Sequence, residues 1–256
     1  MMSSARYWRP QSVEEALSLL ERDGAAVLAG GTKLNARPPA QDFELVDLQA
    51  LGLDSIERRG DGALTIGAMT RLQQVADHDE VPPVVRDAAR REAPSTLRAQ
   101  ATLGGCVATA EYDSELLATL LACGARVHVT RREGDREVAL EALLAGLPLG
   151  RGEIITAVSI EGRGRAELAR TGRTAADRAI VTAVAHELDG RRRLALAGVA
   201  PTPVVVDLAA GDASPARLAA IATERLTPPG DFRGSGEYRS ALAAVLSARV
   251  LEAVRR

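Results

Sequence analysis

A chain of 256 residues can hold one large domain or two modest ones, with ample core in either case. Its formal net charge of −2 and pI near 6.0 leave no electrostatic footprint for a nucleic acid or an anionic membrane, so neither is expected as a partner. Two cysteines, Cys106 and Cys123, cannot form a disulfide framework or supply enough thiolates for a zinc or iron–sulfur centre, so any redox centre must be organic or sit on another chain.

The opening MMSSARYWRPQ has no apolar h-region, and no later apolar run approaches bilayer length, so a cytoplasmic protein is expected. Ser12 to Glu15 have capping-box spacing, and Val13, Ala16, Leu17 and Leu20 then share one face of a helix that ends near Asp23 and Gly24. The run AAVLAGG reads as a short buried strand entering a glycine turn. A polar, proline-broken stretch over 35–42 and a second strand over 45–48 follow. This α/β unit of about 50 residues is too small to bury both of its faces alone.

From Ser55 a hairpin is expected around Gly60-Asp61-Gly62, then helices over 71–77 and 84–92 and a second glycine doublet. A helix over 115–122, a hairpin with arms 125–130 and 137–140, and a strand over 153–160 that would close the sheet complete this part. The Gly- and Arg-rich 161–165 marks a domain boundary. Beyond it we expect an antiparallel pair, 179–188 with 194–199, a VVVDL strand, a helix over 215–222 and an amphipathic helix over 238–256. That last helix would bury Leu242, Val245, Leu246 and Val250. The fold class is therefore α+β. The basic clusters at 131–136 and 191–193 fall at hairpin turns and read as solvated loops.

Two glycine doublets carry the chemistry: AGGTKL over 29–34 and TLGGC over 102–106. A Gly-Gly step lets backbone N–H groups approach an anion, since no side chain blocks them and positive φ carries no steric penalty. Thr32 adds a hydroxyl, and Lys33 a compact charge; it is the only lysine among 32 basic residues. An ordinary strand-to-helix turn is the alternative reading of the first doublet. Neither segment fits GxxxxGK[ST] or GxGxxG, so a P-loop or Rossmann site is not indicated. Two doublets far apart in sequence suggest a diphosphate held from both ends. His78, His128 and His186 lack metal-ligand spacing and read as structural, so no metal site is expected.

With its flanks, LRAQATLGGCVATAEYDSELLATLLACGARV resembles the flavin-binding segment of the medium subunit of molybdenum hydroxylases, the carbon monoxide dehydrogenase and xanthine dehydrogenase flavoprotein family. The matching positions are Arg98, Thr102, Gly104, Gly105, Ala108, Ala110, Ser114, Leu120, Leu121, Gly124, Ala125 and Val127. AGGTKL, GEIITAVSI and DFRGSGEYRSALAAVLSARVLEAV resemble three further segments of that family in the same order. The resemblance implies a vanillyl-alcohol-oxidase (PCMH)-type FAD-binding domain over 1–161, with subdomains 1–55 and 56–161, and a carbon monoxide dehydrogenase flavoprotein C-terminal-like domain over 162–256. It implies FAD between the subdomains, its diphosphate cradled by Ala29, Gly30, Gly31, Thr32, Lys33 and Leu34 and by Thr102, Leu103, Gly104, Gly105 and Cys106. Thr109, Tyr112 and Glu115 occupy further cofactor-contacting positions, and Ile155 that of a backbone contact. The implied role is electron relay without a catalytic residue of its own: an iron–sulfur small subunit and a molybdopterin large subunit are the partners, and a small molecule accepts the electrons.

Departures from the family pattern cluster at the cofactor. Cys106 and Thr109 replace asparagines, Glu111 and Glu115 aspartates, and Tyr112 a proline, while Pro38 and Pro39 should prevent the short helix that follows the first motif. Cys106 has three readings: a small filler, a redox-active thiol or a covalent flavin tether. Tyr112 lies against the flavin or is a plain loop residue. Arg170, Arg173 and Asp177 meet the cofactor or brace the interdomain seam, with the seam favoured. Two other functions stay open: a flavoenzyme acting alone on a small molecule, and a non-catalytic member that has lost FAD.

Overall fold

A computed structural model describes residues 6–36, 43–174, 177–208, 214–224 and 226–255. The first unit runs β1 (Arg6–Trp8), α1 (Val13–Leu20), β2 (Ala25–Leu28), α2 (Thr32–Ala36) and β3 (Glu44–Asp47). Ser12 caps α1 by accepting from the Glu15 N–H at 3.2 Å, while the Glu15 carboxylate reaches the N–H of Gln11 at 2.8 Å. The strands form a parallel sheet in the order β1-β3-β2. Its core is borrowed in part: Leu17, Leu20 and Val46 pack with Met69 and Ile154, which belong to the next unit. Pro38 and Pro39 do not prevent a helix, contrary to expectation. Helix α2 completes its turn by Ala36, and a proline bars only a continuation that would need its missing N–H. Residues 37–42 of the expected polar stretch lie outside the described residues.

The second unit comprises β4 (Ile56–Arg58), β5 (Leu64–Gly67), α3 (Leu72–Asp77), α4 (Pro83–Glu92), α5 (Ser95–Arg98), α6 (Leu103–Thr109), α7 (Glu115–Ala122), β6 (Arg126–Arg131), β7 (Gly134–Ala139), α8 (Leu140–Ala145) and β8 (Ile154–Ile160). Its antiparallel sheet has the order β4-β5-β8-β6-β7. Strand β8 does not close this sheet from an edge; it lies at the centre and joins the two hairpins. The second glycine doublet is not a loop either. It forms the first turn of α6, where Thr102 caps by accepting from the Gly105 N–H at 3.2 Å. Every residue of α7 is buried, which explains an apolar run without a polar stripe.

The third unit contains β9 (Arg165–Thr171), β10 (Val181–Leu188), β11 (Arg191–Ala197), β12 (Val204–Leu208), α9 (Pro215–Thr223) and α10 (Gly236–Ala253). Its antiparallel sheet runs β12-β11-β10-β9. Val184, Ala195 and Ala197 on one face join the second unit's core, and Val181, Ala183, Leu194 and Leu196 on the other pack under α10. Strand β9 is absent from the sequence reading because RAELART carries polar residues along a sheet edge. Helix α10 is also rotated from its expected setting: Val245 is 58% exposed, and the buried face is Arg239, Ala243, Leu246, Ser247, Val250 and Leu251. An arginine sets this rotation. The fully buried Arg239 guanidinium donates to Ile180 O at 2.5 Å, Gly198 O at 3.0 Å and the Asp231 carboxylate at 2.7 Å.

Replacing Arg239 by Met leaves two buried carbonyls without their donor and takes one of Asp231's two arginine partners, so the Arg239→Met chain should lose about 2 to 4 kcal/mol of stability. Urea denaturation of the two proteins measures this, and an unchanged midpoint would contradict the assigned role.

Candidate cofactor site

Chain geometry brings the two glycine doublets together. Beyond β2, the backbone turns through Gly30 and Gly31 into α2, and Gly31 takes the left-handed φ of +68°. A Cβ on Gly30 would stand 2.1 Å from Gln100 O and 2.8 Å from Gln100 C. Only glycine permits that approach to the strand of chain leading into α6. At Gly104 an added Cβ would meet Ala68 Cβ at 2.7 Å and Ala68 O at 3.0 Å. The second doublet's donors are engaged within the protein: Leu103 N–H with Thr70 O at 3.0 Å, Gly104 N–H with Ala68 O at 2.8 Å, and Cys106 N–H with Thr102 O at 3.0 Å. Its glycines therefore serve close packing.

Between these segments lies a cavity of about 1010 Å³, at the upper end of the range for small-molecule and cofactor sites. Ala29, Gly30, Gly31, Thr32, Lys33 and Leu34 form one wall, Thr102, Gly104, Gly105, Cys106 and Thr109 a second, and Ile155 of β8 contributes to the floor. Three expected residues are not on these walls. Leu103 is fully buried in the core below α6. Glu115 is 3% exposed and pairs with Arg91 at 3.2 Å and Arg170 at 2.8 Å. Tyr112 turns to the third unit, where its hydroxyl donates to Asp231 at 2.6 Å and accepts from Arg233. Of the run considered for the seam, Arg170 is at the Glu115 pair, Asp177 lines the cavity and Arg173 is exposed.

Other wall residues carried no local sequence signal: Arg90, Arg91 and Glu92 at the end of α4, and Arg178 ahead of β10. Glu92 is buried, accepting from Ser114 Oγ at 2.9 Å and Leu116 N–H at 3.1 Å, with Arg178 at 3.4 Å. Burial pushes its carboxyl above the usual carboxylate range, partly opposed by Arg178 and the Leu116 N–H. Arg178 also holds Asp113 at 2.8 Å, and Asp113 holds Arg233 at 2.7 Å. Counting charged side chains on the wall, Lys33, Arg90, Arg91, Arg98 and Arg178 outnumber Glu92, Glu153 and Asp177, a balance that favours an anionic ligand.

Burial also drives the Cys106 thiol well above its ordinary range, with Glu92 adding to the effect and Arg178 and Lys33 opposing it. Cys123 is pushed up to about 12 by burial. Thiols held protonated are poor nucleophiles, so the environment of Cys106 favours the filler reading. Among the described residues, no three His, Cys, Asp or Glu side chains are grouped to hold a metal ion, and no helix is long and apolar enough to cross a membrane.

The paired glycine segments and the cavity between two α/β units define a flavoprotein of the FAD-binding kind. Residues 3–160 match the model of the FAD binding domain in molybdopterin dehydrogenase. The chain belongs to that family and is a medium, FAD-binding subunit of the molybdenum hydroxylase-type dehydrogenases, an oxidoreductase component. It is 34% identical over 249 residues to YgfM of Escherichia coli (strain K12), covering 95% of this chain and 93% of that one. With the carbon monoxide dehydrogenase medium chain of Afipia carboxidovorans it shares 30% identity over 275 residues, covering 96% and 95% of the two chains. A chain of the Cu,Mo-CO dehydrogenase crystal structure, in the cyanide-inactivated form, superposes with a TM-score of 0.86 at 27% identity over 99% of each chain.

The seam behind the cavity gives a pH test. Burial opposes ionisation of Asp231, but hydrogen bonds from Tyr112, Arg239 and the Arg233 N–H outweigh it and hold the carboxyl well below the usual carboxylate range. With a folded pKa below the unfolded one, stability from this group is present above about pH 4 and is lost as the pH falls toward the folded value. Between pH 5 and pH 3, wild type should lose more stability than Asp231→Asn in urea titrations at each pH. Parallel losses would contradict this.

Proposed function

We propose that this chain is the electron-relaying flavoprotein of a complex. Its partners are an iron–sulfur small subunit and a molybdopterin large subunit, and a small molecule is the final acceptor. The observation that carries the reading is the cavity walled by both glycine segments. The residues fit FAD: the Gly30 and Gly31 turn leaves backbone unshielded at the wall, the wall arginines offset a diphosphate's charge, and Leu34, Leu97 and Met69 offer apolar surface to rings. Bound FAD supplies a centre that takes up and gives out one or two electrons.

The chain's own residues bind and orient that group. Ala29, Gly30, Gly31, Thr32, Lys33 and Leu34 hold one side, and Thr102, Gly104, Gly105, Cys106 and Thr109 shape the other. Ile155 supports from below. Glu115 acts through Arg91, the wall residue it fixes, and Tyr112 acts through the Arg233 and Asp113 pair that holds Arg178; Leu103 anchors α6 from the core. Two thiols cannot build an iron–sulfur cluster, so in this reading that centre belongs to another chain. The relatives' designation as medium chains agrees with such an assembly.

The test is flavin uptake by the purified chain, read from its visible spectrum, beside a Gly30→Ala variant. The added Cβ must displace the Gln100 carbonyl, so FAD should bind the variant about tenfold or more weakly, a loss of ~1.4 kcal/mol or greater, with the circular dichroism spectrum retained. A chain that shows no flavin absorbance after incubation with FAD would overturn the cofactor reading. Tight uptake with turnover of a small molecule in the absence of other subunits would overturn the relay reading.

A further inference from the structure

The sole lysine of the chain does not stand free at the cavity. Its Nζ lies 2.9 Å from Glu111 Oε1, with side chains 48% and 31% exposed. The two residues come from different segments: Lys33, a wall residue, from α2 next to the first doublet, and Glu111 from just beyond α6, whose first turn holds the second. Among the described residues this is the ion pair that joins those two segments. The residue before Glu111 has an unusual backbone conformation. Ala110 ends α6 at φ +45°, a left-handed setting rare for a non-glycine residue, and it fixes the course of the chain into Glu111. The pair lies beside the cavity, because Lys33 lines it and Glu111 contacts Lys33.

From this geometry we propose that Lys33 and Glu111 form a clasp joining the two glycine segments across the cavity, and that Glu111 is a positioning residue which holds the first segment closed and slows cofactor exit. The proposal rests on the reading of the cavity as the FAD site. It revises the simplest role for Lys33, a free charge on the diphosphate, because its ammonium already has a carboxylate partner. A partly exposed pair of this kind contributes little, so its loss should be felt as a modest acceleration of release rather than as loss of binding.

The full-length chain loaded with FAD supplies the test. Release is followed by the recovery of free-flavin fluorescence after dilution, for wild type, Lys33→Gln, Glu111→Gln, the double variant and the charge swap Lys33→Glu with Glu111→Lys. Each single variant should release FAD about two to five times faster. The double variant should be no faster than either single one, and the swap should recover at least half of the wild-type retention. In 1 M salt, where the Debye length is about 3 Å, the differences should shrink. Unchanged or slower release from Glu111→Gln would overturn the clasp and assign Lys33 a direct charge on FAD. Additive single effects, or a swap that releases faster than both single variants, would overturn it as well. A wild-type chain that takes up no FAD would overturn the cavity reading and the clasp with it, and is told apart from failure of the clasp alone by the absence of any bound flavin to follow.

Discussion

A buried carboxylate at the start of a buried helix ties the molecule together. Glu92 closes α4 and accepts from Ser114 and the Leu116 N–H at the N-terminus of α7, where the unpaired N–H groups and the helix dipole favour negative charge. Taking that charge out of water is costly unless partners replace the lost solvation. Arg178 from the third unit supplies one. The chain of pairs then continues through Asp113 to Arg233, and from Arg233 to Asp231 and Arg239. The two ends depend most on their neighbours: without Arg178, Glu92 loses its arginine, and without Asp231, the buried Arg239 loses its carboxylate.

That constraint fixes the cavity. Because α4 and α7 are locked end to end, the last turn of α4 stands as one wall, and Arg91 is held there by Glu115. The opposite wall depends on steric absence rather than on charge: Gly30 lies against Gln100, and Gly104 against Ala68. One side is thus held by paired charges and the other by missing side chains. The small first unit completes its own core with Met69 and Ile154, so the space between the units is defined by packing on both.

Much of this was legible in order along the chain. The two hairpins and helix α1 were visible because their apolar residues recur at the period of the element they form, and α7 and β8 because they are apolar runs of the matching length. Several features were not. Strand β9 has charged residues along an edge, and α6 begins with two glycines, poor helix formers that read as a loop until the contact with Ala68 explains them. The setting of α10 was misjudged because an arginine counted as polar occupies its most buried position. Tyr112 and Glu115 match cofactor positions in the family pattern, yet their side chains meet Arg233, Asp231, Arg91 and Arg170.

By itself the sequence determined the α+β class, the order of those elements whose apolar pattern it carries, the shortage of thiols for a metal cluster and the two glycine segments with their family flanks. These depend on local periodicity, composition and motifs, which a linear string preserves. Only the tertiary structure decided which backbones Gly30 and Gly104 make room for, which face of α10 turns inward, and that Lys33 spends its charge on Glu111. Those outcomes depend on partners tens of residues away, and a buried charge or a missing Cβ has no meaning until the group that meets it is in place.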